Sequence, residues 1–363
     1  MSERVHSLTA RDDVRRILVI KWSAMGDVAL GSILFEDIYR AFPGREIHLN
    51  TLPQWVGLFR ADPRFNEIIA IDVRHSLRAG LRWVREIRRR RYDLVVDLQT
   101  TDRSALLLAL VQLTGGGIRY RIGNNRRMPY NIYPAGDPLP PRALDRSRIA
   151  LRAAGIATET PRPALHVPQE NRRKVERLMR ESGLEPDRYA LFVPGSQAGG
   201  HLKRWGAGRY AQLARLLRGQ GLEKIALVGG PDDMDECARV ARDGGEGVVN
   251  LCGRTAVLDI IPLAEGARVI VSNDTGPAHV ASAADRPMAV ICGPTDPRRV
   301  KPAGDNVVTV QADLPCINCY RKECSHHSCM PAITPERVLA ALRSDGRTGL
   351  APAGHTTARQ FRP

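Results

Sequence analysis

Residues 269–297 read VIVSNDTGPAHVASAADRPMAVICGPTDP. The β-branched run Val269-Ile270-Val271 has the length of a buried parallel strand. Ser272-Asn273-Asp274-Thr275-Gly276 follows as a polar turn, and Pro277 opens a small-residue helix at the first-turn position that proline favours. A second apolar strand, 288–292, runs into another turn, Gly293-Pro294-Thr295-Asp296-Pro297. Strand, polar turn and helix start gather unpaired N–H groups at one spot, which suits an anion. In open parallel sheets, ligands sit at that end of the strands. Asn, Asp and Thr are also ordinary helix caps, so one such turn decides little alone. The same construction recurs along the chain.

Working outward, strands expected at 189–193, 225–228 and 248–250 alternate with helices at 171–182, 207–217 and 258–264, and a last helix spans 334–343. The first half repeats the plan. Its strands fall at 17–21, 46–50, 68–71, 92–97 and 119–122, with helices at 28–42, 52–60, 77–91 and 104–113. Strands alternating with helices imply right-handed crossovers and parallel sheets covered on both faces. Residues 158–168, TETPRPALHVP, carry three prolines and read as a linker. The expectation is an α/β protein of two doubly wound, Rossmann-like domains facing a cleft: residues 1–165, residues 166–343, and a disordered tail over 344–363.

The net charge of +15 is uneven: the first 150 residues hold 25 Lys/Arg against 16 Asp/Glu, including Arg88-Arg89-Arg90-Arg91. Nucleic acid, an anionic membrane surface and a phosphorylated substrate all answer to such an excess, as does plain arginine-rich composition. No nucleic-acid module is recognisable, and aromatics at 5% offer little base stacking. No apolar run is long enough for a bilayer span, and the start, MSERVHSLTARDDVRR, has no signal-peptide core. A cytoplasmic protein is expected, with peripheral contact at the inner membrane. Cys316, Cys319, Cys324 and Cys329 form C-x2-C-x4-C-x4-C around His326 and His327. That spacing permits zinc or an iron–sulfur cluster, but it is cramped beside usual zinc modules, and a cysteine-rich surface loop without metal is the simpler reading.

Three turns carry the chemistry. In Trp22–Asp27, a carboxylate follows Gly26 at the end of the first strand, so Asp27 is a candidate general base for a hydroxyl or a plain helix cap. In 194–205, PGSQAGGHLKRW, glycines free the backbone to wrap an anion and Lys203 or Arg204 neutralises a diphosphate. The Walker spacing is absent. In Asn273–Gly276, the Thr275 and Gly276 amides suit phosphate, and Asp274 suits orienting Lys203 or a sugar hydroxyl. His279 reads as packed on its helix.

Taken together, KWSAMGDVAL (21–30), PGSQAGGHLKRW (194–205), LVGGPDD (227–233) and SNDTGPAHVASAADRPMAVICGPTDP (272–297) resemble the bacterial heptosyltransferases of glycosyltransferase family 9. The cysteine pattern followed by ITPERV (333–338) is similar to the heptosyltransferase II branch. The resemblance runs from about residue 16 to 343. It implies a GT-B fold and inverting transfer of heptose from an ADP-heptose donor to a lipid-linked lipopolysaccharide inner-core acceptor. No metal or other cofactor is implied, the ADP-sugar being a co-substrate. Residue by residue, Asp27 matches the general base and Lys203 the lysine on the donor diphosphate. Asp274, Thr275 and Gly276 match the donor loop, and Ser196 and Gln197 the phosphate-contacting positions. Asp233 or its neighbour Asp232 matches the acid near the ribose, and Thr255 falls near the adenine contacts. Two positions depart from the family pattern: Gly31-Ser32 replaces a His/Thr-Pro pair on the acceptor side, and Gly206 stands where proline is usual. Other readings are a GT-B enzyme with another nucleotide sugar or acceptor, or a non-catalytic basic protein that binds membranes.

Overall fold

A computed structural model describes residues 7–99, 101–136 and 138–350. The chain divides into two compact units, Met1–Pro168 and Gln169–Pro363. The first holds five strands: β1 (Arg16–Ile20), β2 (Glu46–Thr51), β3 (Glu67–Ala70), β4 (Leu94–Asp97) and β5 (Tyr120–Ile122). All pair in parallel, in the order β3-β2-β1-β4-β5. The second holds β6 (Tyr189–Val193), β7 (Lys224–Leu227), β8 (Val248–Asn250), β9 (Val269–Asn273), β10 (Met288–Cys292) and β11 (Val307–Gln311). These are also parallel, in the order β11-β10-β9-β6-β7-β8. Both are doubly wound α/β sheets. Their central strands, ILVI in β1 and YALFV in β6, are buried throughout because helices cover both faces.

Each unit has its own apolar core. In the first, Trp22 and Trp83 meet edge to face, ring centroids 5.7 Å apart. Both indole N–H groups donate to the Oδ1 of buried Asn50, at 2.7 and 2.6 Å, while its amide donates to the Ile69 carbonyl at 2.7 Å. A polar side chain can sit in a core only with its hydrogen bonds made. Here they also fix where β1 hands over to its turn. In the second unit, Asn273 at the end of β9 plays the same part, donating to the Pro194 and Gly195 carbonyls and accepting from the Trp205 amide and the Tyr210 hydroxyl.

Strand β11 has no counterpart in the sequence reading. Residues 344–350, expected to belong to a disordered tail, are placed against the second unit. Arg347 pairs with Asp345 and Asp285, and Thr348 and Leu350 are buried, Leu350 within the second core. Burying one leucine contributes about 1.5–3 kcal/mol, enough to hold this stretch down. Residues 351–363 lie outside the described residues. The proline-rich segment from 158 is tied to the first unit: Asp37 Oδ1 accepts from the amides of Glu159 and Thr160 and from the Thr160 hydroxyl, and the Ala164 amide donates to Ser32. No helix among the described residues is long and apolar enough to cross a membrane.

Candidate functional site

In the second sheet the chain runs from β6 outward through β7 to β8, then returns to β9 and runs the other way. The reversal lies between β6 and β9, and the loops leaving those two strands diverge there, opening a crevice. They are the turns 194–205 and 274–276. Lys203 Nζ lies 2.8 Å from Asp274 Oδ2, which also accepts from the Thr295 hydroxyl at 2.8 Å. Asp274 and Thr295 are buried, whereas the Lys203 side chain keeps 34% of its exposure. The pair therefore holds an ammonium at the surface of the crevice with its carboxylate partner behind it. Thr275 caps the helix Gly276–Ala281 with its backbone alone. Six residues make too short a helix for a full macrodipole, so the Thr275 and Gly276 amides at its start matter more to an anion than its dipole; Pro277 has no N–H, and the Ala278 amide donates to the Thr275 carbonyl at 3.2 Å.

Next to this pair, the Asp233 carboxylate is engaged internally. Oδ1 accepts from the Ser196 amide at 3.0 Å and from Arg204 at 3.1 Å, and Oδ2 from the Gly230 amide at 3.0 Å. Arg204 also reaches the Ser196 and Asp232 carbonyls. Asp233 thus ties the loop after β6 to the loop after β7. A methyl on Gly195 would lie 2.0 Å from the Asp233 carboxyl carbon, so glycine is what lets the carboxylate in. Asp232 is exposed, and no hydrogen bond reaches its carboxylate among the described residues. Of the two acids, it is the one available to a ligand. The Ser196 hydroxyl is buried on the Gly200 carbonyl at 2.9 Å, while Gln197 is exposed. Thr255, half-buried, follows β8 at the same edge of the sheet as Asp232. His279 is buried, as its helix position suggested.

The first sheet reverses between β1 and β4. The turn after β1 is held from two sides: Trp22 by Asn50, and the Trp22 amide and Ser23 hydroxyl by Gln99 Oε1, at 3.0 and 2.6 Å, from the loop after β4. The Trp55 indole donates to the Ser23 carbonyl. Helix Met25–Ala41 starts at once, earlier than expected, so Asp27 stands inside its first turn behind an Ala24 cap. Asp27 is not the capping residue. It is exposed, and no hydrogen bond reaches it among the described residues. Lys21 lies beside it, its stem on Gly31 and its Nζ 3.2 Å from the Leu98 carbonyl. Burial pushes the Lys21 ammonium below its ordinary pKa, and the charges of Asp27 and Asp97 pull the other way. Asp97, buried at the end of β4, accepts from the Tyr130 hydroxyl at 2.5 Å.

The sequence reading missed Lys21, Thr295 and the internal role of Arg204 as parts of these clusters. Each lies in a quoted motif or turn, but only the folded register shows its partner. Gly206 has φ +101°, a conformation closed to proline. Ser32 is buried, donating to Ala29 and accepting from Ala164, and so reads as structural. The seven cysteines are free, and no group of three or more potential ligands is placed to hold a metal among the described residues.

A family model described as glycosyltransferase family 9 (heptosyltransferase) matches residues 81–330. The lipooligosaccharide heptosyltransferase 2 of Haemophilus influenzae is 27% identical, over 90% of this chain and 98% of that protein. Among solved structures, a family 9 glycosyl transferase from Veillonella parvula superposes with a TM-score of 0.75 at 20% identity, covering 93% of this chain and 98% of that one. The E. coli ADP-heptose lipopolysaccharide heptosyltransferase II superposes at 0.68 and 24% identity, covering 91% and 98%.

Proposed function

The chain belongs to glycosyltransferase family 9, and from that premise we propose that it transfers a heptose, with inversion, from ADP-heptose to a lipid-linked lipopolysaccharide inner-core acceptor. It is a glycosyltransferase with the two doubly wound units of a GT-B enzyme. The observation that carries the reading is the Lys203–Asp274 pair, set where the second sheet reverses and beside the Thr275 and Gly276 amides at the start of helix Gly276–Ala281. Those groups offer a diphosphate an ammonium and backbone N–H donors. Asp232 and Thr255, along the same edge, suit the ribose and base. Asp233, Ser196 and Arg204 shape that edge from behind.

In this reading the acceptor hydroxyl attacks the anomeric carbon as the bond to the ADP oxygen breaks. The hydroxyl is a poor nucleophile, so Asp27, exposed and with no hydrogen bond among the described residues, takes its proton. The leaving ADP gains negative charge, which the Lys203 ammonium and the Thr275 and Gly276 amides stabilise. Preorganised charge of this kind is usually the largest contribution to such a rate. A peripheral, cytoplasmic-face position fits a water-soluble donor and a lipid-borne acceptor.

The test is transfer itself. The full chain is incubated with a truncated inner-core acceptor and with ADP-heptose, ADP-glucose or UDP-glucose, and products are weighed by mass spectrometry. One added heptose from ADP-heptose alone supports the reading. Product from UDP-glucose, or none from ADP-heptose, rejects it.

A further inference from the structure

Helix Leu77–Arg90 and helix Asp102–Leu113 lie side by side on the first unit, Gly80 of one against Leu107 of the other. The crossovers β3 to β4 and β4 to β5 run in the same direction across the sheet, so right-handedness puts both helices on one face, pointing the same way. Their inner sides are ordinary core: Trp83, Ile87, Leu108 and Val111 are buried. Their outer sides are not ordinary surface. In the second helix, DRSALLLALVQL, the stretch ALLLALV over 105–111 is apolar round its whole circumference, a pattern expected of a helix covered on every side. Yet Leu106 is 60% and Leu113 80% exposed. On the first helix, Leu77 is 87% and Leu81 64% exposed. At 3.6 residues per turn, Leu77 and Leu81 fall on one stripe that faces outward beside the Leu106–Leu113 stripe.

Beside that leucine surface runs a row of arginines. Arg78, Arg82, Arg85 and Arg88 are exposed and make no ion pair among the described residues. Glu86 is taken by Arg89 and Arg90. Exposed leucines rimmed by unneutralised arginines are the composition of a surface that lies in the headgroup layer of an anionic bilayer. A partner protein would need matching acids and a matching apolar face. A bilayer supplies both anywhere along its surface, and each arginine near it gains about fivefold in affinity. Both helices begin at the sheet edge that carries Asp27.

We infer that the outer face of these two helices docks the protein on an anionic phospholipid surface, through Leu77, Leu81, Leu106 and Leu113 with Arg78, Arg82 and Arg85. This rests on the proposed function only for the lipid nature of the acceptor. The docking surface stands on the helices alone.

The experiment is co-sedimentation of the full chain with phosphatidylglycerol-containing vesicles and with phosphatidylcholine vesicles. Binding to the anionic vesicles is expected, with little to the neutral ones. Arg78→Gln, Arg82→Gln and Arg85→Gln together should weaken it by roughly a hundredfold, at about fivefold each. Leu77→Ser with Leu106→Ser should weaken it at least about tenfold, leaving the ADP-induced thermal shift unchanged. In the leucine variant, transfer to a vesicle-embedded acceptor should fall while transfer to a delipidated acceptor stays at the wild-type rate. Equal binding by wild type and leucine variant overturns the inference. So does a leucine variant that only converts a dimer to a monomer, which would make the face a contact between two copies, and so does tighter binding to RNA than to vesicles. If no sugar is transferred to any acceptor but the vesicle results hold, the proposed function falls and the docking surface remains.

Discussion

Lys203 and Asp274 show how one residue's worth depends on its partner. The carboxylate is buried and the ammonium half-exposed, so the carboxylate depends more on the pair. Removing Lys203 does two things: it deletes a charged contact to the diphosphate, and it leaves a bare carboxylate beside the anion. A charge-assisted hydrogen bond is worth about 1.5–3 kcal/mol. Lys203→Ala should therefore weaken ADP binding by roughly tenfold to a hundredfold in calorimetry. Adding Asp274→Asn to that variant should recover part of the loss, because the repulsion goes while Thr295 can still hydrogen-bond the amide. Unchanged ADP affinity in Lys203→Ala would refute the assignment, and an additive double variant would refute the coupling. Asp233 teaches the reverse lesson. The resemblance gave Asp233 or its neighbour Asp232 to the ribose, and three internal donors engage Asp233. No spacing rule in the sequence could reveal that, because Ser196, Arg204 and Gly230 meet only in the fold.

At the scale of elements, the site is a set of turns whose shapes are set from below. The loop after β6 keeps its course because Asn273 holds Pro194 and Gly195, and because Gly195 has no side chain where Asp233 sits. Gly195→Ala must displace that carboxylate. The cost of forcing a carbon into packed space is about 1–3 kcal/mol. The variant should melt earlier and bind ADP more weakly, both measurable by thermal scans with and without nucleotide. An unchanged melting temperature would show that the loop is not held this way. The strands and turns around these glycines were readable because buried parallel strands are short β-branched runs and their turns are polar. Strand β11, VVTVQ, was not, since no crossover helix follows it directly and its side chains are only partly buried. The helix Asp102–Leu113 was found, but an all-round apolar sequence cannot say which side is left open.

At the scale of the molecule, the two units repeat one device. Each sheet reverses its strand order once, and each reversal carries a turn whose charged group is held ready: Asp27 on the first, Lys203 on the second. The alternation of strands and helices made this plan legible in the sequence, and the motif order pointed to the family. What the sequence could not supply was which acids are spent on architecture and which stay free. The account's central claim is that Asp27 serves the chemical step while the second unit alone holds the donor. The direct measurement is steady-state heptosyl transfer by Asp27→Ala, with ADP binding measured on the same preparation. The account predicts kcat lower by roughly 10²–10⁴-fold, with ADP affinity at the wild-type value. Full turnover in Asp27→Ala, or a loss of ADP binding that matches the loss of rate, would contradict it.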